Sequence, residues 1–206
     1  MDLMLEPSRT ALVVIDLQRG IVAMPAAPRP PAEVVARTVD LATAMRAAGG
    51  TVVLVHVTPS PDRKDGLRPI TDAAVGGPGG PGGPGGPGGA AAGQTPPPNW
   101  AEILPELGPQ PGDIVITKRQ WGAFYGTELD LQLRRRGIDT IVLCGISTNV
   151  GVESTARDAF ERGYQQVFVE DAMAARDAGE HAHTVGTLFP RIGRVRSTQE
   201  VLAALK

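Results

Sequence analysis

The sequence predicts an α/β fold, a three-layer α/β/α sandwich around a six-stranded, mainly parallel sheet. Three observations carry this expectation. Short, nearly continuous Val/Ile/Leu runs recur along the chain, the pattern of strands covered on both faces. Stretches with helical spacing lie between them. Residues able to do chemistry fall just beyond several of the apolar runs, and sheets of this kind bind ligands beyond the carboxyl ends of their strands.

Taken in order, the apolar runs place strands at Ala11–Ile15, Thr51–Val57, Ile114–Thr117, Thr140–Cys144, Gln166–Val169 and Arg191–Arg194. Helical spacing places helices near Ala32–Ala48, Glu128–Arg136, Val150–Arg162, His181–Phe189 and Gln199–Leu205. Thr127-x-x-Asp130 reads as a capping box opening the second of these. Gly137 and Gly163 stand where helices end in a left-handed residue, and Ala48-Gly-Gly50 does the same before the second strand. Residues 60–98 break the rhythm, because Gly76–Gly89 repeats a Gly-Gly-Pro triplet with no side chains to bury. The reading is one domain over residues 1–206, with a flexible Gly/Pro-rich surface insertion at about 74–94. The chain then re-enters the fold through a short helix at Asn99–Pro105.

Composition narrows the function. The 20 basic and 22 acidic side chains leave a net charge of −2, and only Arg134–Arg136 clusters positive charge. That trio suits the solvated end of a helix, so nucleic acid is not an expected partner. A single cysteine excludes an intrachain disulfide and fits a reducing cytoplasm. The opening Met-Asp-Leu-Met-Leu-Glu lacks a signal-peptide pattern, and no apolar run reaches the length of a membrane span. The expectation is a cytoplasmic protein with a small-molecule substrate and no membrane partner.

The chemistry gathers at three strand ends. Asp16 closes the first strand and Lys118 the third. Gly145 to Asp158 leads from the fourth strand into a helix, so its N–H groups are placed to hold a carbonyl oxygen or an anion. Burial raises a carboxyl pKa and a nearby ammonium lowers it, so a coupled Asp16–Lys118 pair suits proton transfer near neutral pH. An obvious nucleophile is missing. Cys144 lies inside a strand, where a thiol behaves as a core residue. Ser147, Thr148 and Ser154 have no histidine near them in sequence to activate them. Trp121, Phe124 and Tyr125 follow Lys118 and suit a pocket wall or a subunit interface. His56, His181 and His183 do not form a metal-ligand pattern and read as surface residues. No phosphate loop or dinucleotide fingerprint is present.

Four pieces resemble the isochorismatase-like hydrolase superfamily: Val13-Val-Ile-Asp16-Leu-Gln18, Ile116-Thr-Lys118-Arg, Ala123-Phe-Tyr-Gly-Thr127-Glu-Leu, and Gly145 to Asp158. The stretch from Lys118 to Arg157 resembles its YecD type most closely. The resemblance covers nearly the whole chain outside residues 60–98. In the family's amidases an Asp, a Lys and a Cys form the catalytic triad, which the resemblance carries onto Asp16, Lys118 and position 151. Position 151 is Gly here, so the thioester route through it is closed. Isochorismatases proper resemble this pattern with Gly in place of Cys. By that likeness Asp16 is the general acid, Lys118 its electrostatic partner, and Gly151 leaves room for substrate. The resemblance also implies a cis peptide between Ile146 and Ser147, with the N–H groups of Ser147 and Gly151 facing a substrate oxygen. Ile146, Ser147, Asn149, Trp121 and Phe124 are the expected substrate-binding residues. The favoured reading is a homo-oligomeric (dimer or tetramer) hydrolase, needing no metal or other cofactor, for a small carbonyl- or carboxylate-bearing metabolite. Its rivals are a binding or regulatory protein without turnover and a thiol amidase using Cys144.

Overall fold

Six strands pair into one sheet: β1 (Thr10–Ile15), β2 (Thr51–Val57), β3 (Ile114–Lys118), β4 (Thr140–Ile146), β5 (Gln165–Ala174) and β6 (Arg194–Arg196). Their order is β3-β2-β1-β4-β5-β6, and every pairing is parallel. The structure is a computed structural model that describes residues 3–62, 64–67, 70, 72 and 97–205. The Gly/Pro-rich insertion lies outside the described residues.

The helices are α1 (Arg19–Val22), α2 (Pro31–Ala47), α3 (Leu129–Arg135), α4 (Glu153–Glu161), α5 (Ala178–His183), α6 (Phe189–Ile192) and α7 (Thr198–Ala204). Period-two alternation in β1 and β4 sends side chains to two separate cores. Leu12, Val14, Val142 and Cys144 pack with Leu41 and Met45 of α2 and Val201 of α7. Val13, Ile15, Ile141 and Leu143 pack with Leu129 and Leu133 of α3, Ala156 of α4 and Phe189 of α6. This double burial explains the unbroken apolar runs and makes the three layers. Among the described residues, no helix is long and apolar enough to cross a membrane.

Gly145 marks the tightest approach in the sheet. Its φ is +119°, and a Cβ there would lie 2.1 Å from the Ile15 carbonyl oxygen. Only glycine fits, and the close approach brings the end of β4 against the end of β1, where Asp16 follows. Gly49, Gly137 and Gly163 hold the left-handed conformation expected of them.

Four local expectations are corrected. β6 begins at Arg194, not Arg191: Phe189 stacks on Phe168 at 3.9 Å and keeps 189–192 helical. β5 runs on to Ala174, because a register shift lets Met173 and Ala174 pair with Gly145 and Ile146. The Thr127–Asp130 capping box does not form: Thr127 Oγ1 accepts from Leu129 N, while Asp130 is taken by the Tyr164 hydroxyl at 2.8 Å. Asn99–Pro105 is a turn rather than a helix, since the Trp100 and Glu102 carbonyls accept from Gly20 N and Arg19 N, both at 2.9 Å.

Candidate active site

Asp16 is the first residue beyond β1. Its N–H still donates to the Val55 carbonyl at 3.0 Å, but its φ of +54° turns the chain out of the sheet. Positive φ is uncommon outside glycine and is best tolerated by short polar side chains such as Asp and Asn. The next clamp is Gln18, fully buried, whose amide accepts from Val57 N at 2.8 Å and donates to Val57 O at 3.0 Å. Val57 stands in register with Lys118 of β3. Because β2 lies between β1 and β3, the Lys118 side chain must reach past the end of β2 to meet Asp16.

It does so with Nζ 2.8 Å from Asp16 Oδ2, both side chains being buried. The same Nζ donates to the carbonyls of Gln120 at 3.1 Å and Trp121 at 2.8 Å. Three acceptors surround a group with three protons, so the ammonium form is fully satisfied and an uncharged amine would not be. Asp16 is the opposite case, since its Oδ1 is buried and has no hydrogen-bond partner among the described residues. Burial pushes the Asp16 carboxyl above the usual range, while the charge and hydrogen bond of Lys118 pull the other way.

Gly151 completes the cluster. A π-helical turn, Thr148–Val152, joins β4 to α4, after a cis peptide between Ile146 and Ser147 as expected. The Ser147 carbonyl accepts from Val150 N and Val152 N, both at 3.2 Å, which fixes the turn. A Cβ at position 151 would stand 3.1 Å from Asp16 Oδ2, 2.9 Å from Ile15 Cγ2 and 3.6 Å from the Trp121 carbonyl. Any side chain at 151 would therefore begin beside the acid, and glycine leaves that volume open.

Asp16, Lys118, Trp121, Ile146, Ser147 and Gly151 line one pocket. Its other walls were not foreseen: Met24, Pro25 and Ala26 on one side, with Gln120 and Arg176 as further polar members. The 24–26 wall is held in place next door, where Ala27 and Ala175 exchange two backbone hydrogen bonds of 2.8 Å. Nothing in that loop's sequence signals a site. Arg176 offers one weak signal, since it follows the end of β5.

Two expected members are not brought in. Phe124 is buried against Tyr164 at 5.7 Å between ring centres and does not line the pocket. The cause is Thr155, whose hydroxyl accepts from Ala123 N and draws the loop onto α4. Asn149 acts inside the turn, with its Oδ1 accepting from Ser147 Oγ at 2.9 Å. Trp121 is 43% exposed, so it belongs to the pocket rim, and Tyr125 points outward.

Cys144 is fully buried on the α2 side of the sheet, beside the Thr38 hydroxyl. Burial pushes its thiol up to about 12, and it does not line the pocket. His181, expected on the surface, is buried and lies 2.8 Å from Thr148 Oγ1 through Nδ1. Folding thus supplies the imidazole that no sequence neighbour provided. The Thr148 hydroxyl is nevertheless fully buried, and neither residue lines the pocket. Burial, then the Arg29 guanidinium, holds the His181 ring below the usual histidine pKa. His56 is half-buried between the Ala101 carbonyl and Thr117 Oγ1.

The fold and site together define a class of α/β protein in which an acid, an amine and a strand-to-helix turn meet at adjoining strand ends. A profile of the Isochorismatase domain matches residues 10–200. The uncharacterized isochorismatase family protein YwoC of Bacillus subtilis is 48% identical over 198 residues, covering 96% of this chain and 95% of its own. YecD of Escherichia coli O157:H7, of the same description, is 48% identical over 201 residues and 98% of both chains. A solved isochorismatase family protein from Burkholderia thailandensis superposes with a TM-score of 0.85 at 44% identity, over 98% of this chain and 97% of that one. The chain belongs to the isochorismatase family and is a hydrolase.

Proposed function

We propose that this hydrolase acts on a small carbonyl- or carboxylate-bearing metabolite through Asp16, without a cysteine nucleophile. One observation carries the reading: Asp16 Oδ2, bonded to Lys118, lies beside the open volume at Gly151, 3.1 Å from where a Cβ would stand, and Oδ1 has no hydrogen-bond partner among the described residues. In its acid form Asp16 gives its proton to the substrate, and the carboxylate left behind is stabilised by Lys118. Water adds to the electrophilic carbon so produced and releases a proton that restores Asp16. For a vinyl ether the proton goes to carbon, an oxocarbenium forms, and the hemiketal collapses to alcohol and ketone. Ile146, Ser147, Gly151 and Trp121 form the substrate walls, and Asn149 supports them by holding Ser147. The buried thiol of Cys144, which does not line this pocket, speaks against the amidase rival.

The reading keeps the protein a cytoplasmic homo-oligomer, supported by one buried thiol and by the aromatic surface of Trp121 and Tyr125 beside the pocket. Light scattering tests the assembly. The chemistry is tested by screening vinyl ethers, amides and N-carbamoyl compounds with the wild-type protein, Asp16→Asn and Cys144→Ala. Asp16→Asn is expected to lower kcat by about a hundred-fold or more, and Cys144→Ala to retain it. Turnover lost with Cys144 and kept without Asp16 would overturn the reading.

A further inference from the structure

The Thr148–His181 pair invites comparison with an activated nucleophile, yet its burial away from the pocket removes that role. What the contact does instead follows from its place. Thr148 is the first residue of the turn that carries Gly151, and Gly151 stands against Asp16. His181 comes from α5, a separate element that follows β5. Its start is fixed by Asp177, whose Oδ1 accepts from Gly179 N at 2.7 Å and Glu180 N at 3.3 Å. A second bond runs parallel to the first, from Thr184 Oγ1 to Glu153 Oε2 at 2.8 Å, joining the residue after α5 to the first residue of α4. The turn is therefore held from outside at both of its ends. Inside, the Ser147 carbonyl is shared between Val150 N and Val152 N at 3.2 Å each, the Thr148 carbonyl accepts from Glu153 N, and the Gly151 carbonyl accepts from Thr155 Oγ1 at 2.7 Å.

We infer that His181 is a positioning residue, which fixes the Gly151 turn against Asp16 by holding the buried Thr148 hydroxyl. The bonds inside the turn set its shape, the contacts from α5 set where it lies, and a misplacement of about 1 Å at a reacting centre is enough to cost a large part of the rate. The Thr148 hydroxyl has no solvent to turn to, so losing the imidazole leaves a buried polar group unmet. The low pKa of His181 agrees with this, because the neutral ring keeps one nitrogen as acceptor for a hydroxyl. The inference deepens the site proposed above and rests on that reading for its catalytic consequence.

The test has one arm that needs no turnover. Hydrogen exchange of peptides covering 145–153 is compared among wild type, His181→Ala, His181→Asn and Thr148→Val. His181→Ala and Thr148→Val are each expected to speed exchange at Val150 and Val152 about five- to ten-fold, the loss of one buried hydrogen bond. The double variant should exchange no faster than either single one. Asn places an amide atom near the position of Nδ1 and should restore slow exchange, while β1 peptides stay unchanged in all variants. In the second arm, for whichever panel compound the wild type hydrolyses, His181→Ala should lower kcat at least ten-fold with KM within about two-fold. Unchanged exchange at 145–153, additive effects in the double variant, or faster exchange spread evenly over the chain would each overturn the inference. Localised exchange without any panel turnover would instead leave the positioning contact standing and count against the proposed chemistry.

Discussion

Installing the missing thiol, Gly151→Cys, tests the geometry of the pocket most directly. Gly151 does not sit in the left-handed region, so an L residue is conformationally allowed there. The new Cβ would meet Asp16 Oδ2 at 3.1 Å and Ile15 Cγ2 at 2.9 Å, contacts tight enough that both side chains must give by a few tenths of an ångström. Overpacking of this degree costs about 1–3 kcal/mol. Removing a glycine from a helical segment returns about 0.5–1 kcal/mol. The net loss, up to about 2.5 kcal/mol, corresponds to a fall in Tm of at most roughly 10 °C for a chain of this length. The variant should therefore fold. Its reactivity is the sharper readout. Cys144, with a thiol pushed up to about 12, is thiolate in only about one molecule in ten thousand near pH 8. A pocket-lining thiol with an ordinary pKa of about 8.5 is thiolate in roughly a quarter. Native alkylation with iodoacetamide, followed by intact mass, is expected to give one rapid adduct in Gly151→Cys and none in wild type over the same time. An unmodified variant, or wild type labelled at Cys144 just as fast, would refute the placing of position 151 in an open pocket beside Asp16.

Further outcomes follow from the same geometry. Lys118→Met removes the countercharge of a buried carboxyl and orphans two carbonyls, with an expected loss of about 3–5 kcal/mol above neutral pH. The sign in pH follows from Asp16, whose raised pKa makes the folded state bind more protons than the unfolded one, so stability is present at low pH and lost as pH rises through the folded value. Without Lys118 that loss steepens, and urea titrations at about pH 5 and about pH 8 should show the smaller deficit at the lower pH; equal deficits would mean that Asp16 is not kept from ionising by burial. Gly145→Ala puts a methyl 2.1 Å from the Ile15 carbonyl at a φ of +119°, and should cost upwards of about 4 kcal/mol, read as loss of soluble protein or of cooperative melting.

The strands and the ends that carry Asp16 and Lys118 were legible because burial on both sheet faces writes itself into unbroken apolar runs, and ligands gather at strand ends. What sequence reading placed wrongly depends on partners far along the chain. Phe124 turns inward because its neighbour Ala123 is held by Thr155, thirty-two positions beyond Ala123. Arg191 stays helical because Phe189 finds Phe168. The Trp100 and Glu102 carbonyls are taken by Gly20 N and Arg19 N, which removes bonds a helix needs. His181 looked like a surface residue because nothing near it in sequence shows that α5 lies over the Thr148 turn. The 24–26 wall has no chemical signature at all, since it contributes apolar shape to the pocket rather than a functional group.

Glycine at 151 and the state of Asp16 belong to one argument. In a thiol amidase the carboxylate has to accept the thiol's proton, which favours an acid held ionised before the reaction starts. Here no thiol stands at 151, and Cys144 is walled off on the α2 side of the sheet. A carboxylate in that setting has no proton to collect, and burial, which raises the Asp16 pKa against the pull of Lys118, favours the form with a proton to give. Lys118 cannot be the donor without breaking one of three bonds that already satisfy its protons. The proposed chemistry therefore puts the movable proton on Asp16, whose Oδ2 is the carboxyl oxygen beside Gly151. On that proposal Lys118 serves twice, as the tether that holds the acid beside Gly151 and as the charge that receives the carboxylate once the proton has gone.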